Sequence, residues 1–179
     1  VQAVFSPTSA GSLNASLSIP SNAPTVTVPL SGTGMSPGSS VSPSSKDFGA
    51  IVVGSSSGAQ TFTVTNTGTA NLIVGTITFT GTDPTQFSKQ NDNCSGQSVA
   101  PAGTCTVQAV FSPTSGGGKS ANLSIPSNAP TVNVPLSGTG TSVGGSVSPT
   151  SYNFGNVIIS SSSVAQTFTV SNTGTANLI

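Results

Sequence analysis

The sequence predicts an all-β protein built of tandem seven-stranded antiparallel β-sandwiches. Three observations predict it. First, the chain repeats itself: Val1–Ser9 and Val107–Ser115 both read VQAVFSPTS, an offset of 106 residues. The offset holds to the last residue, where Leu72-Ile73 returns as Leu178-Ile179, and only 19 of the 73 overlapping positions differ. Self-similarity at a fixed period marks a repeat architecture. Second, apolar residues alternate with Thr and Ser, the period of a half-buried strand. Third, the residues that build solvated helix faces are nearly absent. There is no Arg, Glu or His, and the charged residues are Lys46, Asp47, Asp83, Lys89, Asp92 and Lys119. A closed barrel is the alternative to the sandwich.

The complete repeat spans residues 39–140, preceded by the last part of one copy (1–34) and followed by the first part of the next (146–179). About 100 residues is the usual size of an independent domain. The first expected strand is Ser40–Ser42 continuing through Asp47–Val52. The second is Ala59–Asn66, with Phe62 and Val64 inward. The third is Leu72–Thr80, with Ile73, Gly75, Ile77 and Phe79 inward. Gln86–Gln90 follows, then Thr104–Ser112 with Val107, Ala109 and Phe111 inward. The last two are Ser120–Ile125 and Thr131–Leu136. Thr and Val suit such a pleated surface. Turn chemistry separates the strands. In Asn66-Thr67-Gly68-Thr69, Gly68 is expected to supply a positive φ. Pro113–Gly118 and Ser127–Pro130 form two further turns. The joints, TGMSPGS (Thr33–Ser39) and TGTSVGG (Thr139–Gly145), are short, so consecutive domains are expected to stack as a semi-rigid rod.

The ordered residues resemble a known family. They are Phe48-Gly49, then Thr63-Val64-Thr65-Asn66-Thr67-Gly68, Cys94, Ala100–Val107, Phe111-Ser112-Pro113 and Leu136-Ser137-Gly138-Thr139-Gly140. The set resembles the bacterial choice-of-anchor D repeat domains, relatives of the hydin-type (ASH) immunoglobulin-like domains. The resemblance implies an immunoglobulin-like sandwich in long secreted surface proteins. It implies no catalytic activity, and no ligand site carries over.

Cys94 and Cys105 are the only cysteines. A metal site would need more ligands, and a catalytic thiol would need a base; neither is in the sequence. A disulfide is the remaining reading, and it implies an oxidising compartment. No cofactor is expected. An enzyme lacks material, since general acid–base work needs groups titrating near neutrality. Asp83 and Asp92 with Asn91 and Asn93 fit no calcium-loop spacing and read as turn residues. An intramolecular isopeptide bond is disfavoured, because Lys46 becomes Tyr152 in the next copy and Lys119 matches Leu13 in the previous one. Lys89 stays open.

Without a basic footprint the chain is not expected to bind nucleic acid, and no apolar run reaches the ~18 residues of a membrane span. Asn14-Ala15-Ser16, Asn93-Cys94-Ser95 and Asn122-Leu123-Ser124 match the N-glycosylation pattern, at a frequency that chance allows. O-linked glycans on the Ser/Thr faces are a separate expectation. Zero net charge gives no resistance to self-association. Edge strands in general look open, apart from the last strand, bracketed by Pro126, Pro130 and Pro135. Neither end segment can bury a core alone. Continuation of the polypeptide is the simpler expectation, with completion by a neighbour's strand as the alternative. The functional expectation is an extracellular or cell-surface structural repeat that assembles with itself into a fibre. The alternative is the stalk of an adhesin.

Overall fold

A computed structural model describes residues 1–179. It holds fourteen strands, one 3-10 turn at Pro84–Gln86 and no α-helix, so no helix is long and apolar enough to cross a membrane. The leading segment contains β1 (Gly11–Ile19) and β2 (Val26–Gly34). The middle contains β3 (Ser39–Ser42), β4 (Lys46–Val52), β5 (Gln60–Asn66), β6 (Leu72–Ile73), β7 (Thr78–Thr80), β8 (Phe87–Gln90), β9 (Ser98–Val99), β10 (Thr104–Phe111), β11 (Gly117–Ile125) and β12 (Val132–Thr141). The trailing segment contains β13 (Gly145–Ser148) and β14 (Thr169–Asn172).

The middle residues form an immunoglobulin-like sandwich. One sheet runs β3-β5-β10-β8 and the other β4-β12-β11-β7. The alternation read from the sequence fills the space between them. Phe62 and Val64 of β5, Val107, Ala109 and Phe111 of β10, and Leu123, Val134 and Leu136 of β11 and β12 belong to one buried cluster. Thr61, Thr63 and Thr65 point the other way, because successive side chains of a strand leave opposite faces.

Two of the expected strands are divided. The segment 40–52 starts in one sheet as β3, paired with β5, and crosses to the other as β4, paired in parallel with β12. Pro43 has no amide hydrogen with which to continue the first ladder. Gly49, at φ 71°, sits where the β4–β12 register shifts, the geometry of a bulge.

The segment 72–80 pairs first with β9 and then, after a break, with β11. Leu72 and Val74 are buried while Ile73 is 55% exposed, so the inward face changes between Val74 and Ile77. The expected inward Ile73 is corrected accordingly. The cause is where the backbone bonds go. Val74 N donates to Gln97 O (2.9 Å), Gly75 N to Pro126 O (2.8 Å) and Ile77 N to the Ser95 hydroxyl (3.0 Å). These partners lie in loops, so the segment leaves the ladder and resets its phase.

The last strand is also not an edge. β12 lies between β4 and β11. Its Pro135 stands one residue before the pairing with β4 begins at Leu136, so on that side the missing donor breaks no ladder bond.

The flanking segments repeat part of this plan. β1 pairs with β2 from Gly11↔Gly34 to Ile19↔Val26, and β11 with β12 from Gly117↔Gly140 to Ile125↔Val132, the same register 106 residues on. β13 and β14 pair as Gly145↔Asn172, matching Ser39↔Asn66 of β3 and β5.

Candidate functional site

Three local constructions carry the distinctive residues of the chain: the disulfide loop, the Asn66 turn and the two expected joints, 33–39 and 139–145.

Cys94 and Cys105 are joined by a disulfide, with Cα atoms 5.2 Å apart. Cys105 stands in β10 opposite Val64, and Cys94 is fully buried. Closing a loop of this size is worth about 2–3 kcal/mol in the chain-entropy picture. Beside it Asp92 gathers a network. Its Oδ1 accepts from the amides of Cys94 and Ser95 (both 3.0 Å). Its Oδ2 accepts from Lys89 Nζ (2.8 Å) and from the Ser95 hydroxyl. Lys89 Nζ also donates to Ile77 O (2.8 Å). The end of β8, the cysteine loop and the 74–77 crossover are thereby tied together.

This settles the place of several sequence candidates. Asp92 is committed to Lys89 and the loop amides, whereas Asp83 accepts from Ser120 N (3.0 Å). Asn91 donates to Gln108 Oε1 (2.7 Å). No three His, Cys, Asp or Glu side chains converge as a metal set.

Burial raises the Asp92 carboxyl, but the hydrogen bonds from Lys89, the Ser95 hydroxyl and the Ser95 and Cys94 amides outweigh it. The net effect holds Asp92 well below the ordinary carboxylate range. A native pKa below the unfolded value of about 3.9 contributes stability that is complete above that value and is lost as pH falls below it. With no Glu or His in the chain, no ordinary side-chain titration falls between about pH 5 and 8. Urea midpoints are therefore expected to be level across that range and to drop in acid. Asp92→Asn is expected to lower stability at neutral pH and to make the acid drop shallower. An equally steep drop in the variant would show that Asp92 is not the group responsible.

The turn after β5 is built on Asn66, which is 1% exposed. Its Nδ2 donates to Ala70 O (2.8 Å) and to Val99 O (2.9 Å), and its Oδ1 accepts from Gly68 N (2.9 Å). Gly68 is not among the residues with positive φ, which corrects the expectation. Its missing side chain serves close approach instead. A Cβ there would overlap the Ser36 carbonyl oxygen and the Gly38 nitrogen of the preceding joint.

That joint is bonded to the turn. Thr69 N and Ala70 N both donate to Ser36 O (2.8 and 3.1 Å), and Thr67 N donates to Gly38 O (3.0 Å). Ser36 N donates to the Thr69 hydroxyl (3.2 Å). The second joint repeats every bond. Thr175 N and Ala176 N donate to Ser142 O (both 2.8 Å), Thr173 N to Gly144 O (3.1 Å), and Ser142 N to the Thr175 hydroxyl (2.9 Å). Within the two joints, Met35, Pro37 and Ser39 are replaced by Thr141, Val143 and Gly145, while Ser36 and Gly38 return as Ser142 and Gly144. Ser36 and Gly38, which bond to the turn, are thus among the residues that repeat. Sequence reading passed over this contact, although that pattern of identity was available to it.

The sheet edges are better guarded than expected. They are β3, β8, β4 and β7, of which three have four residues or fewer. The fourth, β4, carries the bulge together with Lys46 and Asp47, and β8 carries Lys89. Short, bulged and charged edges resist pairing with another chain. The outer face of the first sheet is lined by hydroxyls, in the rows Ser40–Thr65–Thr104 and Ser42–Thr63–Thr106.

The sequence profile of the HYDIN/CFA65/VesB-like Ig-like domain family matches residues 37–139. No curated protein matches the chain. Among solved structures, the chain is similar to the ASH/PapD-like domain 7 of human CEP192. Identity is 15%, over 57% of this chain and 84% of that one, with a TM-score of 0.43. It is similar to a protein of unknown function from Porphyromonas gingivalis W83, at 14% identity over 76% and 69% of the two chains, with a TM-score of 0.48. It is also similar to the secreted serine protease VesC from Vibrio cholerae, at 22% identity over 62% of this chain and 24% of that one, with a TM-score of 0.43.

Proposed function

Because the chain belongs to the HYDIN/CFA65/VesB-like Ig-like domain family, we propose that it is a non-catalytic structural segment of an extracellular bacterial surface appendage. In this reading Ig-like modules follow one another head to tail with a period of 106 residues, dividing the chain at 1–34, 39–140 and 146–179. The observation that carries the reading is the recurrence of one hairpin, in one register, 106 residues apart. Repeated modules of this kind act as spacers, because each contacts only its neighbours and length grows with copy number. A disulfide suits an oxidising exterior, and an outer face of hydroxyls hydrates without charge and offers acceptors for O-linked glycans.

Association between copies, on this reading, runs through the hydroxyl faces rather than the guarded edges, with no net charge to oppose it. The guarded edges favour a second reading, a stalk that holds a ligand-binding domain away from the cell. Electron micrographs and light scattering of the purified protein separate the two. Ordered bundles support the fibre, and single extended particles at monomer mass support the stalk. Compact particles, or turnover of a substrate by the purified chain, would overturn the structural reading itself.

A further inference from the structure

We propose that the turn Asn66–Ala70 is a docking site for the joint that precedes its module, and that Asn172–Ala176 is the same site in the next copy. The joint is then a clip that fixes the entry of each module rather than a hinge. The inference rests on the head-to-tail reading above and adds to it the surface by which a module holds the joint that leads into it.

Three independent features support it. The first is the bonding. Both amide-carbonyl ends of Ser36 are used by Thr69 and Ala70, and Gly38 is held by Thr67. A free Gly/Ser joint would instead spread over about 5–6 Å times the square root of its length. The second is the fit of two glycines. A Cβ at Gly38 would stand 2.7 Å from the Thr67 hydroxyl, and one at Gly144 would stand 2.8 Å from the Thr173 hydroxyl. With Gly68 and Gly174 bare on the other side, backbone lies on backbone. The third is the absence of slack. β12 ends at Thr141, the clip takes Ser142 to Gly144, and β13 begins at Gly145. The first joint leaves only Met35 between the end of β2 at Gly34 and the clip at Ser36, and the second leaves none.

The site forms in the trailing segment with the same partners as in the complete sandwich. It therefore needs no more than the turn, the joint and the short β13–β14 pairing beside them, and every copy carrying Ser-x-Gly before the module and Asn-Thr-Gly-Thr within it would build one.

Amide hydrogen exchange on the full 179-residue chain tests this. In the wild type the Ser36, Thr69 and Ala70 amides are expected to exchange well below free-chain rates. Thr69→Val removes the acceptor for Ser36 N, and exchange at Ser36 is expected to rise about fivefold, the worth of one neutral hydrogen bond. Gly68→Val puts a side chain where the joint lies, and protection at Thr67, Thr69 and Ala70 is expected to fall together. Phe62 and Val64 in β5 should stay protected in both variants. Free-chain rates at Ser36, Thr69 and Ala70 in the wild type would overturn the clip, as would joint protection that survives Gly68→Val. Should Gly68→Val expose β5 as well, the Thr69→Val result decides. A protected clip in a protein that forms compact particles would sink the structural reading and leave the clip standing. Unprotected joints in extended particles would do the reverse.

Discussion

Truncating Phe111 to alanine is expected to lower the unfolding free energy by about 3–5 kcal/mol, the usual cost of emptying a fully buried aromatic site. Phe111 has no exposed surface. Its ring centre lies 5.0 Å from that of Phe87 and 6.1 Å from that of Phe48, so three strands meet on it. The ring also lies against Gly138 of β12. A Cβ at Gly138 would come within 2.5 Å of the ring, which is the physical content of the glycine in Leu136-Ser137-Gly138-Thr139-Gly140. Gly138→Ala is accordingly expected to destabilise through crowding, and less so when Phe111 has been shortened to leucine. Residues in contact couple, so the double variant should be more stable than the sum of the two singles. Urea denaturation gives the numbers, read as a shift in midpoint at constant slope. A loss below about 1 kcal/mol for Phe111→Ala would be incompatible with this packing.

Replacing Asn66 by alanine is expected to cost about 3–4 kcal/mol, because the carbonyls of Ala70 and Val99 each lose a donor in a buried or half-buried setting. The chain contains its own control. Asn172 makes the equivalent turn in an exposed setting, donating to Ala176 O (2.8 Å) and accepting from Gly174 N (2.9 Å). Asn172→Ala is therefore expected to change overall stability by less than about 1 kcal/mol. Thermal or urea melts of the two variants side by side decide the matter. Equal effects would mean that the long-range bond to Val99 contributes nothing.

Much of the fold was legible in the residues, and the copies show which part. Strands β5, β10 and β11 lie within a few residues of their expected bounds, because Phe62/Val64 and Val107/Ala109/Phe111 alternate with polar neighbours. The clip, the changed face at Ile73 and the interior place of β12 were not legible. Each depends on a partner that periodicity does not name. Gly68 shows this most directly. Its residue type was read correctly as a constraint, but the constraint comes from another segment's backbone rather than from its own φ.

Similar sequence in two settings separates the two sources of order. The strand registers, the Asn-Thr-Gly-Thr turn and the clip recur wherever their residues recur. The sequence alone determines them, since their partners lie within one flanking segment, across a turn for β1 and β2 and beside the close-fitting glycines for β13, β14 and the clip. Other features form only in the complete sandwich. Residues 152–158 correspond to β4, with only Phe154 and Gly155 unchanged, and residues 1–5 repeat the second half of β10 residue for residue in sequence, yet neither forms a strand. Val64 is fully buried, while its counterpart Val170 is 66% exposed. β4 needs β12, some ninety residues away, where Lys46 meets Leu136. β10 needs β5 beside it, from Thr104↔Thr65 onward. Only the assembled sheets supply those partners, because a strand's ladder bonds and its buried face both belong to its neighbours.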